Sequence, residues 1–303
     1  MNALEVANLT KRFGTVVAVD DVSFTIPEGV IFGMLGRNGA GKTTTIRMLM
    51  NIYQPDAGTI KFRGNRVGQE FRDRVGYLPE ERGLNTKMRV LDTLLYLAEL
   101  KGKQGAAVKA KAMAFLTRFE LDTRTRSKVQ ELSKGNQQKI QFISTILHDP
   151  DFIILDEPFS GLDPVNINLF KDIIMELKGQ GKAIIFSTHL MEFAEKMCDH
   201  IALFHHGKVL LSGTLAEVKQ RFSTLNVLLH YEGSIGFLSG QPYVRKVQDY
   251  GNYCGITLAE RSDSQRLLLD LVSHGVEVHK FDANDISLHD IFLSQTGAKG
   301  EDA

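Results

Sequence analysis

Residues Gly36-Arg37-Asn38-Gly39-Ala40-Gly41-Lys42-Thr43 fit the pattern G-x-x-x-x-G-K-[ST]. The pattern follows a strand-like run, Ile31 to Leu35, and precedes a helix-like run, Thr44 to Met50, which is the context it needs. Glycines let the backbone wrap a triphosphate with its N–H groups, and the helix after the loop points its positive end at the phosphates. Lys42 would neutralise the outer phosphates and Thr43 would hold Mg²⁺. Further along, the apolar strand Phe152-Ile153-Ile154-Leu155 ends in two carboxylates, Asp156 and Glu157. The carboxyl ends of strands in an open α/β sheet are where ligand is met. Asp156 can hold the metal through water, and Glu157, one residue on and pointing elsewhere, can polarise an attacking water. Taken alone, the carboxylate pair reads as a solvated strand end. Joined to a phosphate loop, it reads as a centre for phosphoryl transfer.

These groups need a sheet to hold them. Up to about residue 81 the chain is strand-rich, with short apolar runs such as Val30 to Leu35 and Val75 to Leu78, and a turn at Pro55-Asp56-Ala57-Gly58. From about 87 to 148 the period becomes helical: Val108, Ala112, Phe115, Leu116 and Phe119 share one face, which predicts an inserted helical block. Strand and helix then alternate through Phe152 to Leu155, a helix near Val165 to Lys178, Ala183 to Phe186, and a hairpin around His206-Gly207. Such alternation predicts a mostly parallel sheet covered by helices. After about 220 the pattern predicts strands near 225–231, 243–249 and 253–260, a helix near 264–274, a strand near 276–281 and a helix near 287–295. The expected organisation is an α/β unit over 1–220 and a small α+β domain over 221–303.

Composition narrows the classes. Hydrophobic residues make up 43% and charged residues 24%, so a disordered or collagen-like chain is excluded. Thirty-six Lys and Arg balance thirty-six Asp and Glu, and no nucleic-acid partner is expected. The two cysteines, Cys198 and Cys254, cannot build a disulfide framework, and the start MNALEVANLTKRF lacks the apolar core of a signal peptide. Both point to the cytoplasm. No run reaches the roughly 18 apolar residues that span a bilayer, so any membrane role is expected through a partner.

Between the phosphate loop and the carboxylates lies Leu132-Ser133-Lys134-Gly135-Asn136-Gln137-Gln138; after the carboxylates come Ser160-Gly161-Leu162-Asp163 and then His189. The set, in this order over residues 1 to about 220, resembles the ATP-binding cassette ATPases. The resemblance implies a P-loop NTPase fold: a RecA-like core with an inserted helical subdomain. It implies that ATP and Mg²⁺ are bound, with the nucleotide contacted by Phe13, which stacks on adenine, by Gly36, Arg37, Asn38, Gly39, Ala40, Gly41, Lys42, Thr43 and Thr44, and by Asp163. Ser133 and Gly135 would contact the γ-phosphate held by a second copy, since cassettes close head to tail around two ATP. His189 would sense that phosphate and join Glu157 in catalysis. Independently of the family, a Ser and a Gly at the start of the helix Ile140, Ile143, Ile146, Leu147 offer a hydroxyl, N–H groups and a positive dipole end to an anion.

Two departures from the family pattern stand out. Lys134 and Asn136 replace Gly and Gln of the usual LSGGQ, and Lys134 brings charge near phosphate. In Gly76-Tyr77-Leu78-Pro79-Glu80-Glu81-Arg82-Gly83-Leu84, Glu80 takes the place of the family's glutamine, which reaches towards Mg²⁺. A carboxylate can also hold Mg²⁺ but adds negative charge beside the triphosphate. This stretch, the LSKGNQQ variant and the small C-terminal domain narrow the likeness to cassettes of the sodium-extrusion type. The implied function is the ATP-hydrolysing subunit of a membrane exporter, a homodimer docked on permease subunits at the inner face of the membrane. The rival is a soluble cassette acting on ribosomes or DNA; such relatives usually carry two cassettes or a long charged insertion, and this sequence has neither.

Overall fold

β-Branched runs bounded by Gly and Pro fold into the strands of a computed structural model that describes residues 2–81, 83–222, 226–251, 253–260, 262–283 and 287–296. Residue 225, placed at the start of an expected strand, and Arg82 lie outside the described residues. The chain forms two compact units, one over Met1–Leu215 with the stretch from Gln295, which takes the last two residues of the final helix, and one over Ala216–Ser294. In chain order the first contains β1 (Asn2–Phe13), β2 (Val16–Pro27), β3 (Ile31–Leu35), α1 (Lys42–Leu49), β4 (Ala57–Phe62), β5 (Asn65–Arg66), α2 (Gln69–Arg74), β6 (Val75–Leu78) and α3 (Val90–Glu99). It continues with α4 (Ala106–Arg118), α5 (Lys134–Ile146), β7 (Phe152–Asp156), α6 (Pro164–Gly179), β8 (Ala183–Thr188), α7 (Met191–Met197), β9 (His200–His205) and β10 (Lys208–Thr214). The second contains α8 (Leu215–Phe222), β11 (Asn226–Glu232), β12 (Val244–Asp249), β13 (Tyr253–Leu258), α9 (Asp263–Ser273), β14 (Glu277–Asp282) and α10 (Leu288–Thr296). The division thus puts α8 at the start of the second unit, where the sequence pattern placed the change near 220.

The first unit holds two sheets. Six strands run in the order β10-β9-β3-β8-β7-β6, all parallel except the edge strand β10. Every residue of β3, β7 and β8 is buried, as strands covered on both faces must be. The expected mostly parallel sheet is this one, and beside it β2-β1-β4-β5 form a separate antiparallel sheet. Its strands carry the reason. In β2, buried Val22, Phe24 and Ile26 alternate with exposed residues, the signature of a one-sided sheet. That buried face shares a core with the parallel sheet, where Phe24 stacks on Phe32 at 5.2 Å. The turn read over Pro55 to Gly58 is also shorter than expected, because β4 already starts at Ala57. Gly58 has φ +90°, and a Cβ there would lie 2.4 Å from the Asn8 carbonyl oxygen, so the glycine serves close strand approach.

The helical insertion is α3, α4 and α5. The buried residues of α5 include Ile140, Phe142, Ile143 and Ile146, yet also Gln138, Lys139, Gln141 and Thr145. A Cβ on Gly76 would come within 2.3 Å of the Thr145 carbonyl oxygen, so that glycine lets the α5 backbone lie directly on β6.

The second unit is an antiparallel sheet in the order β12-β13-β11-β14. Val227, Leu229 and Tyr231 alternate inward from β11, as do Cys254, Ile256 and Leu258 from β13, and Leu267 and Leu271 of α9 close the core over them. Leu271→Ala, at a fully buried site, should cost about 2–5 kcal/mol of this unit's stability. Denaturant unfolding should show the second unit's transition moving to lower denaturant while the first unit's transition stays in place.

Candidate active site

α1 begins without a side-chain cap: its N-cap is Gly41, at φ +106°. A Cβ on Gly41 would lie 2.8 Å from the Ala18 carbonyl oxygen, and one on Gly36 2.4 Å from that of Phe204, so these two glycines are dictated by backbone packing. The first-turn N–H groups of α1 thereby face a cavity of about 230 Å³. It is lined by the loop from Arg37 to Thr44 together with Ala18, Glu80, Asp156 and Glu157. Residues spread over more than a hundred positions of sequence are brought to one wall because β3, β6 and β7 are parallel and end on the same side.

Charge inside the cavity is unbalanced. Lys42 is 5% exposed; its Nζ donates to the carbonyls of Gly36 and Arg37 and lies 4.0 Å from Glu157 Oε1. Burial lowers its pKa from the ordinary lysine value, against the pull of Glu157, Asp156 and Glu80, which raise it. Asp156 is fully buried, and although the Ser187 and Thr43 hydroxyls lie close to it, neither carboxylate oxygen is in a hydrogen bond of ordinary geometry. Its pKa is raised by burial first, with the Ser187 and Thr43 hydroxyls pulling it down and Glu80 and Glu157 pushing it further up. An orphaned buried carboxylate beside a threonine hydroxyl and a second carboxylate is an all-oxygen donor set, the kind a hard dication takes. Among the described residues no three of His, Cys, Asp and Glu converge closely enough to hold a metal by themselves. The donors fit Mg²⁺ only where a ligand supplies further oxygens, as a triphosphate would.

Glu157 sits at φ +48°, a left-handed conformation costing of order 1–3 kcal/mol for a residue with a side chain. Its N–H donates to the Ser187 carbonyl at 3.0 Å. Its carboxylate accepts from the His189 backbone N–H at 3.0 Å, from His189 Nδ1 at 2.8 Å and from Thr188 Oγ1 at 3.3 Å. Facing a carboxylate, Nδ1 donates to it, and the ring is half-exposed. Glu157 and His189 are therefore one hydrogen-bonded pair, joined because β7 and β8 are neighbours with Asp156 opposite Ser187.

The other expected residues stand elsewhere. Phe13 does not line the cavity; it ends β1, 44% exposed, edge-on to Tyr53 at 5.3 Å. Ser133 caps α5, its Oγ accepting from the Asn136 N–H at 3.3 Å. Gly135 lies against the next loop, where a Cβ would meet the Gly161 carbonyl oxygen at 3.3 Å. Asp163 caps α6, accepting from the Asn166 N–H at 3.0 Å, and that bond holds its pKa below the ordinary carboxylate value. Ser133, Gly135 and Asp163 do not line their own chain's cavity. Sequence reading missed Ala18, which lines the cavity, and Thr188, which holds Glu157. It also missed Gln141, although a glutamine inside an apolar-periodic helix is a readable signal.

Comparison with known proteins agrees with the geometry. Residues 19–160 match the family model "ABC transporter", and residues 213–296 match "ATP-binding protein DrrA1-3-like, C-terminal domain". The chain is 42% identical to an uncharacterized ABC transporter ATP-binding protein of Bacillus subtilis over 97% of its own length and 99% of the relative's. It is 31% identical to a Nod factor export ATP-binding protein I of Rhizobium sp. over 99% and 98% of the two lengths. A solved ATP-binding subunit of an ABC transporter superposes with a TM-score of 0.68 at 32% identity, covering 73% of this chain and 93% of that one.

The unpartnered charge yields a prediction. For a carboxyl with a raised pKa, the cost to the fold is absent below the ordinary carboxylate pKa and fully present above the raised one. Asp156→Asn should therefore raise the melting temperature of the nucleotide-free protein at neutral pH by about 2 °C or more, and should lose the extra stabilisation that Mg²⁺ adds to a bound nucleotide. Calorimetry with and without Mg²⁺ checks both.

Proposed function

We propose, on the premise that the chain belongs to the family of ABC transporter ATP-binding proteins, that Glu157 is the general base of its ATPase reaction. The chain is an ATP-binding, ATP-hydrolysing subunit of an ABC transporter. One observation carries the assignment: Glu157 is a buried carboxylate fixed by three donors, beside Asp156 and 4.0 Å from the Lys42 ammonium. A carboxylate held so can take a proton from water only along its free lone pairs, and that directs the attack. His189, with Nδ1 on Glu157 and a half-exposed ring, steadies Glu157 and senses the γ-phosphate through a proton on Nε2. The phosphate loop binds with backbone N–H groups and the α1 dipole, and Lys42 exchanges its carbonyl partners for phosphate oxygens. Thr43, Asp156 and Glu80 would hold Mg²⁺, which when bound neutralises charge on the phosphates. Phe13, exposed at the end of β1, offers its ring face for adenine to stack on.

The partner reading rests on what the cleft lacks from its own chain. Ser133 and Gly135 open a helix whose positive end does not line the cavity, so they serve the γ-phosphate of a second copy, head to tail. Asp163 then acts as the cap of α6, shaping the loop between the two copies. Among the described residues no helix is long and apolar enough to cross a membrane, so transport would run through separate permease subunits with this chain on their inner face. Export is the direction favoured by the relative named for Nod factor export, which this chain matches along nearly its whole length.

Glu157→Gln should keep ATP binding, trap an ATP-bound dimer visible by size exclusion, and lower turnover by about a hundredfold or more. Turnover within about threefold of wild type would remove the catalytic role, since that is only ~0.7 kcal/mol of barrier. Glu80→Gln should bind ATP at lower Mg²⁺, because one negative charge beside the triphosphate is gone. A Mg²⁺ titration of ATP binding reads this directly, and an unchanged midpoint would place Glu80 outside the metal shell.

A further inference from the structure

Three polar side chains of α5, at positions 138, 141 and 145, share one helix face by their i, i+3, i+7 spacing. Each bonds to backbone beside the cleft. Gln138 Nε2 donates to the Pro158 carbonyl at 3.1 Å, next to Glu157. Gln141 Nε2 donates to the carbonyls of Pro79 at 3.4 Å and Glu81 at 3.3 Å, one on each side of Glu80. Thr145 Oγ1 shares its one proton between the Gln141 carbonyl of its own helix at 2.9 Å and the Tyr77 carbonyl at 3.3 Å. Gln141 is the unusual member. It is 3% exposed, and because both facing groups are acceptors its NH₂ must point at them, which leaves its buried Oε1 with no partner. An apolar side chain would fill the space without that orphaned oxygen, so packing alone does not account for a glutamine here.

We infer that Gln141 is a positioning residue for Glu80: by bracketing the peptides on either side of it, Gln141 sets the direction in which the Glu80 carboxylate enters the cleft. The helix that begins at Ser133 thereby holds the loop that carries one of the cavity's carboxylates, and Gly76 lets α5 approach β6 closely enough to do so. The bond is an amide between two carbonyls in a buried site, so a shift of α5 against β6 moves Glu80 with it. The inference rests on the proposal that Glu80 serves the metal and triphosphate.

The test uses the full chain with Gln141→Met, which keeps length and volume but removes the N–H donors, alongside Glu80→Ala and the double variant. The Mg²⁺ midpoint for binding a fluorescent ATP analogue, kcat and KM are read for each. Gln141→Met should move the Mg²⁺ midpoint in the same direction as Glu80→Ala, by about threefold or more, and should add less than about twofold in the Glu80→Ala background. Gln138→Met, which frees Pro158 instead, should remain multiplicative with Glu80→Ala. An unchanged midpoint in Gln141→Met, or an effect fully multiplicative with Glu80→Ala, overturns the inference. A Glu80→Ala protein indistinguishable from wild type would sink the Glu80 reading itself, and the role of Gln141 with it. If Gln141→Met does not fold, Gln141→Asn carries the same test, since it keeps the amide but withdraws it by one methylene.

Discussion

The carboxylate of Asp156, buried at the end of β7 with only the Ser187 and Thr43 hydroxyls near it and neither oxygen in a well-formed hydrogen bond, is the constraint around which the site is arranged. Such a group destabilises the fold that holds it, because an ionised carboxylate taken from water keeps its charge only where an opposing charge or donor meets it. Lys42 is the cation set against it, yet Lys42 is itself desolvated and shared with Glu157 and Glu80. Three carboxylates against the Lys42 ammonium and the Arg37 guanidinium leave a negative excess beside a helix end and a loop built to receive anions. Neither half of this arrangement is comfortable alone. Cation and phosphate together would satisfy it, so part of the free energy this arrangement costs would return on binding of a nucleotide together with a metal.

Holding such a site needs walls that do not yield. The parallel strands β3, β7 and β8 are buried at every residue, and their ends fix the phosphate loop, Asp156 and the Glu157–His189 pair on one side of the sheet. Glu157 shows the force involved: its backbone is kept at φ +48° by the bond from its N–H to Ser187 and by the carboxylate contacts to residues 188 and 189. Strain of order 1–3 kcal/mol is tolerable because the β7–β8 register over-determines the residue's place.

How much of the site is legible in the sequence depends on whether the cause is local. The phosphate loop is legible because its glycines, lysine and threonine are adjacent, and each answers to backbone geometry within a few residues. The strand ending in Asp156 and Glu157 is legible for the same reason, as an apolar run with a polar stop. Pairing of Glu157 with His189 is not, since it depends on which strands are neighbours. The split of the early strands into a second, antiparallel sheet is encoded in the alternation of β2, but a period of two does not say which sheet a strand joins. Asp163 and Ser133 attract notice for their charge and hydroxyl, while the side chains are engaged as helix caps by Asn166 and Asn136. Capping is itself a local rule, and both sequences, Asp163 before Pro164 and Ser133 before a helical run, carry it openly.

Gln141 marks the boundary between these cases. Its polarity at a buried helix position is a local anomaly visible in the sequence, whereas the partners that explain it sit some sixty residues earlier and are found only in the fold. A rigid helix that touches two loops through amide-to-carbonyl bonds behaves differently from one that touches them through apolar contacts. Apolar contacts slide at little cost, but each amide bond is kept or lost, and losing it leaves a buried carbonyl without that donor. Loops tied in this way respond to α5 in steps, as close-packed interiors do. A site whose carboxylate-bearing loops are tied to one helix by such bonds therefore has a small number of arrangements.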